Sequence, residues 1–268
     1  MLLKEIINKS YYGTTGYIAS INDIELLEQY IVYNLPVLKE FKQILVATNY
    51  QNYTQELVSL NTKVWKRYFK DCIILDSKIN RGHNFGTVDL DEILFNFCKQ
   101  NNIEWLCKSA NDIIFQEYIL NKEIKEADFY FTTSVGYAGL FDPYNISVDK
   151  VYNNDEYFYP QTNLYFINTS KCDYLNDIEH VNDVYNKVKN ISNYSNKAWE
   201  YGFRSCEVLL KECIEKNKLT KYNLIPQEKF IILLDVIRDY QLHDPSHKNI
   251  MIEGICHFHY NNKQIIQI

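Results

Sequence analysis

The sequence predicts an α/β protein with a mostly parallel central sheet flanked by helices. Three observations predict it. Short, near-continuous apolar runs alternate with helix-period segments through the first half of the chain. Strands that are apolar on both faces need cover on both faces, which crossover helices supply. Hydrophobic residues make up 46% of the 268 positions, enough for one sizeable core.

The elements follow in order. Tyr17-Ile18-Ala19-Ser20-Ile21 is the candidate first strand. Asp23 can cap a helix in which Ile24, Leu27, Ile31, Leu35 and Leu38 share one face. Ile44 to Ala47 reads as a second strand, Leu57 to Phe69 as a helix, and Cys72 to Leu75 as a third strand. Val88 to Asn101 is a helix with Leu90, Ile93, Leu94 and Phe97 inward. Trp105 to Cys107 is a fourth strand, Ile119 to Ala127 helical, and Phe129 to Phe131 a fifth strand.

From Asp142 to Tyr159 the chain is polar and reads as a long loop, with Pro143 and Pro160 near its ends. Leu164 to Ile167 is a strand, and Tyr174 to Lys189 and Cys206 to Lys216 are helical. Leu233 to Tyr240 is apolar with interleaved charges, and Ile250 to Tyr260 ends in two histidines. No repeat or linker divides the chain.

Composition excludes some classes. The net charge of -6 argues against a nucleic-acid partner, which calls for a basic surplus. Seven cysteines without a CxxC pair read as reduced, buried thiols and not as a zinc site. The N-terminus lacks a signal-peptide core, and no apolar run approaches the about 20 residues of a membrane span. The expected location is therefore cytoplasmic, with peripheral attachment to a membrane left open.

Ligands of parallel sheets bind beyond the carboxyl ends of the strands. Asn80-Arg81-Gly82 follows the third strand, where glycine allows close approach and Arg81 could pair with a phosphate; a plain turn fits equally. Lys108 to Asp112 follows the fourth strand, and Asp112 is a hard oxygen ligand for a divalent cation or a helix cap. His257 and His259 fall on one side of a strand and could share a ligand, or be surface histidines. Glu207 opens a helix, either as a general base or as a first-turn acid favoured by the helix dipole.

The order of these features resembles the GT-A glycosyltransferases, and Tyr17 to Thr133 resembles the nucleotide half of the family-2-like members. The family's N-x-G becomes Asn80-Arg81-Gly82, and its Asp-x-Asp becomes Ala110-Asn111-Asp112, keeping the final acid alone. Pro160 to Asn168 is similar to its central acceptor-side strand, and Glu207-Val208-Leu209-Leu210 to the segment supplying the base in inverting members.

The resemblance implies a single GT-A (Rossmann-like) domain over residues 1–268, with a nucleotide-sugar half at 1–140 and an acceptor half at 141–268. It implies a UDP- or GDP-sugar donor contacted by Ala19, Ser20, Asn22, Asn49, Asn80, Arg81, Gly82, Lys108 and Asn111. Asp112, His257 and His259 would hold Mn²⁺ or Mg²⁺, and Glu207 would deprotonate a hydroxyl of a glycan, lipid or protein acceptor. Two alternatives remain: a degenerate GT-A domain that binds without turnover, and a nucleotidyltransferase. The second wants a glycine-rich loop after the first strand, and Ala19 to Asp23 has no glycine. A dinucleotide oxidoreductase lacks its GxGxxG.

Overall fold

A computed structural model describes residues 1–133, 160–225, 249–257 and 265–267. The expected 142–159 loop, the 233–240 segment and His259 lie outside the described residues. The main sheet comprises β1 (Tyr11–Ile18), β2 (Gln43–Tyr50), β3 (Ile73–Ile74), β4 (Trp105–Ala110), β6 (Phe129–Thr133), β7 (Pro160–Asn168) and β8 (Lys221–Asn223). Their order is β3-β2-β1-β4-β7-β6-β8. β7 alone runs against its neighbours β4 and β6, so the sheet is mostly parallel, as expected of the GT-A-like class.

Alternate residues of each strand face opposite layers. Ile44 and Val46 of β2 join the core under α2 (Ile21–Leu38) and α3 (Gln55–Tyr68), with Ile24, Leu27, Ile31 and Trp65. Leu45 and Ala47 join the opposite core, with Leu90 and Leu94 of α4 (His83–Gln100). A further C-terminal helix, defined below, adds Leu210 and Ile214 to this second layer. All seven cysteines are buried free thiols.

Beyond the sheet come α5 (Ile178–Val188), α6 (Tyr194–Lys197) and α7 (Cys206–Lys216). The last has the bounds that periodicity predicts. A short α1 (Leu3–Ile7) precedes the sheet. No described helix is long and apolar enough to cross a membrane.

The first strand differs from expectation. It spans Tyr11–Ile18, and exposed Ile21 begins α2 instead of ending a strand. Gly13 dilutes the apolar signal for a steric reason: a Cβ there would lie 2.8 Å from Leu94 Cδ1 and 2.9 Å from Leu106 Cδ1. The cap also shifts. Ser20 occupies the N-cap position, and Asp23 reaches back from the third helical position to the Ser20 amide at 2.7 Å. The expected helix at Ile119–Ala127 is only a 3-10 turn over Glu117–Asn121. The N-terminal segment claims the following backbone: Leu3 N donates to Lys122 O at 2.8 Å and Ile124 N to Met1 O at 2.9 Å.

A second sheet, order β11-β9-β10-β5, contains β5 (Ile113–Phe115), β9 (Asn249–Ile252), β10 (Ile255–His257) and β11 (Ile265–Gln267). It is anchored from α2. Asn34, 0% exposed, donates to Ile113 O at 2.9 Å and accepts from Phe115 N at 2.8 Å.

Asn34→Leu would strand both β5 backbone groups, at about 1–3 kcal/mol each. Urea unfolding should show a clear drop in midpoint, larger than for Asn34→Asp, which keeps the acceptor. Equal stability of the leucine variant and the parent would disprove the anchor.

Candidate active site

The carboxyl ends of β1 to β4 share one edge. Ile18 ends β1 opposite Tyr50, the last residue of β2. Ser77, just past β3, bridges to Asn49. β4 ends at Ala110 opposite Thr15, so Asn111 and Asp112 leave the sheet beside β1. β7 enters from the same edge, because Leu164 pairs with Ser109 and Thr162 lies two residues nearer the edge.

The expected donor residues occupy this edge in different states. The Ala19 and Ser20 amides are engaged by the Asp23 carboxylate at 2.8 and 2.7 Å. Asn22 is exposed in the first turn of α2. Asn49 is buried and donates to Gly86 O at 3.3 Å. A Cβ on Gly86 would lie 2.7 Å from the Asn49 amide nitrogen, so this glycine admits the contact.

Asn80 shapes the loop: its amide donates to Tyr50 O at 3.2 Å and its oxygen accepts from Gly82 N at 2.9 Å. Gly82 caps α4 at φ +82, the left-handed side that suits glycine. Asn111 N donates to Thr15 O at 3.0 Å, and its side chain lies over Gly16, where a Cβ would meet Nδ2 at 2.9 Å. Asn49, Asn80 and Gly82 thus order the loop that leads into α4, while Asn111 packs over β1.

Two basic residues are committed elsewhere. Arg81 turns toward α5: Nε donates to Asp89 Oδ2 at 2.8 Å, Nη2 pairs with Asp89 Oδ1, and Nη1 donates to Asn182 Oδ1 at 2.8 Å. Its guanidinium lies 4.8 Å from the Tyr185 ring centroid. Lys108 is 1% exposed, bonded to the Thr162 carbonyl and 3.2 Å from Asp91 Oδ1. Each cation is thus paired with a buried or half-buried aspartate. Burial pushes the Asp91 carboxyl up, against the pull of the Lys108 ammonium.

Glu207 is half-buried in the first turn of α7, whose N-cap Ser205 accepts from Val208 N at 3.2 Å. Its Oε1 accepts from the Thr162 hydroxyl at 3.0 Å, which places it at the β4–β7 edge. Asp112 is half-buried, close to the buried Tyr12–Tyr30 hydroxyl pair. Burial drives the Tyr30 phenol up to about 12, with a smaller push from the Asp112 carboxylate.

The C-terminal strand converges on the same turn. β10 pairs antiparallel with β5, and His257 stands opposite Ile113, the residue after Asp112. The described residues contain no preformed group of three His, Cys, Asp or Glu able to hold a metal ion.

Thr162, Asp91 and Asn34 were not foreseen. A lone Lys108 inside an apolar strand was a signal for a buried counter-ion, and Asn34 interrupts the apolar face of α2.

No family model matches the chain, and no curated protein matches its sequence. Solved structures similar in chain path include a nucleoside-diphosphate-sugar pyrophosphorylase from Vibrio cholerae RC9 (12% identity, TM-score 0.41, covering 79% of this chain and 90% of that one). The galactosyltransferase LgtC, solved with donor and acceptor sugar analogs, aligns over 91% of this chain and 86% of its own at 9% identity and TM-score 0.43. The apo-form glycosyltransferase GlyE of Streptococcus pneumoniae TIGR4 aligns over 95% of this chain and 55% of its own, at 12% identity and TM-score 0.44. At such scores and identities these likenesses say nothing about a reaction.

Proposed function

We propose that the chain is a glycosyltransferase that moves a sugar from a nucleoside-diphosphate sugar to a hydroxyl acceptor with the help of Mn²⁺ or Mg²⁺. One observation carries the reading. The Asn111–Asp112 turn leaves the carboxyl edge of the parallel strands beside β1, the edge from which the Asn80–Gly82 loop also follows β3, and β10 sets His257 opposite Ile113.

In this reading Asn111, Asn49 and the Gly82-led start of α4 border the diphosphate, and a helix N-terminus favours its charge. Ala19, Ser20 and Asn22 border the nucleoside. Asp112 would hold the cation with His257 or His259; when bound, the cation supplies Lewis-acid stabilisation of the departing diphosphate. Glu207 would accept the proton of the acceptor hydroxyl, at the β7 side of the same edge. Arg81 and Lys108 keep the cleft walls in place instead of touching phosphate.

A second reading is a domain that binds nucleotide without turnover, which Ala110 favours by removing one acid of the expected pair.

A thermal-shift screen of UDP- and GDP-sugars with and without Mn²⁺ tests donor binding. A true donor at about 100 times its dissociation constant should add about 2.7 kcal/mol of stability, in a metal-dependent way. No shift with any nucleotide sugar contradicts both readings. Glu207→Gln should lower turnover by roughly 10²–10⁴-fold while preserving the donor-induced shift. Undiminished turnover would remove Glu207 from the chemistry.

A further inference from the structure

A buried polar chain joins four elements near the carboxyl edge of the sheet. Lys108 on β4 is 1% exposed, Asp91 on α4 is 4% and Thr162 on β7 is 5%. The Lys108 ammonium donates to the Thr162 carbonyl and stands 3.2 Å from Asp91 Oδ1. Tyr165 OH donates to Asp91 Oδ2 at 3.2 Å, and its ring centroid lies 5.9 Å from the ammonium. The Thr162 hydroxyl then donates to Glu207 Oε1 at 3.0 Å.

A buried lysine is costly unless it is paired and hydrogen-bonded. Here, besides its pairing with Asp91, the ammonium donates to the Thr162 carbonyl, near the start of β7. Thr162 is thereby fixed at both ends, its carbonyl by Lys108 and its hydroxyl by Glu207. A hydroxyl held in this way can donate to only one place, and a carboxylate that receives it is favoured in its ionised form and in one rotamer.

We infer that Thr162, held by Lys108, is the positioning residue for Glu207, holding its carboxylate in one orientation at the carboxyl edge of the sheet. The functional meaning rests on Glu207 being the base; the hydrogen bond does not. Thr162 from β7 donates to Glu207, the Asp91 carboxylate of α4 lies near enough to feel its charge, and Lys108 of β4 acts with both on the neighbouring Cys206 thiol. Cys206 precedes Glu207 on its own helix and Lys211 follows one turn later.

The test is a carboxyl ¹³C NMR titration of the full chain labelled at glutamate Cδ, with the Glu207 signal identified by its loss in Glu207→Gln. Thr162→Val should move the Glu207 midpoint up by about one pH unit, the size expected for one hydrogen bond to a charged group. Thr162→Ser should restore the parent midpoint, a rescue that a purely structural role would not produce. Circular dichroism checks folding, and Thr162→Ala is the second hydroxyl-free variant should valine disturb β7. With a donor and acceptor in hand, kcat should fall in Thr162→Val while KM holds. An unmoved midpoint in a folded hydroxyl-free variant overturns the inference and leaves the base assignment standing. Full turnover by Glu207→Gln overturns the base assignment and leaves the midpoint result standing.

Discussion

Where β4 leaves the main sheet, the chain passes through Asn111 and Asp112 and enters a different sheet at Ile113. Backbone groups at such a junction lose their partners, and a buried orphan costs about 1–3 kcal/mol. Asn34 replaces them. From the middle of α2, its amide serves the Ile113 carbonyl and its oxygen serves the Phe115 amide, and it also bonds Tyr30 O at 3.1 Å. A helix on one face of the main sheet thus holds the strand that fixes the Asp112 turn. β10 then pairs on β5, so the placement of His257 depends on the same amide.

The other face of the sheet solves a different problem. Lys108, Asp91 and Tyr165 lie inside the layer of α4 and α7, where an uncompensated charge would cost about 3–5 kcal/mol. The pairing neutralises the interior, and Lys108 also donates to the Thr162 carbonyl. Arg81 is handled likewise at the rim, between Asp89 and the Tyr185 ring. Cations that look in sequence like phosphate contacts are in this fold the mortar between α4 and its neighbours.

Much of the layout was legible in the chain. Ile44 to Ala47 lies within β2 and Cys206 to Lys216 is α7, because a buried strand and an amphipathic helix both write their period into the residues. Strand ends told where Asp112 and the Asn80 loop would sit. The first strand was misplaced because Gly13 and Gly16 are there for clearance against Leu94, Leu106 and Asn111, and clearance carries no hydrophobic signal. The Ile119–Ala127 helix was overridden by pairing with the N-terminal residues, a contact remote in sequence. Partners such as Asp89 for Arg81 and Thr162 for Glu207 are set by three-dimensional packing and have no local signature. His257 beside Asp112 is a register fact, visible only once β5 exists.

The central claim is that the Asp112 turn is where a cation and a diphosphate meet. Calorimetric titration of UDP and GDP into the parent and into Asp112→Asn, each with and without Mn²⁺, tests it most directly. The account predicts binding that requires Mn²⁺ in the parent and is weakened at least about tenfold, roughly 1.4 kcal/mol, by the substitution. Equal affinity with and without the metal, or in parent and variant alike, would contradict it.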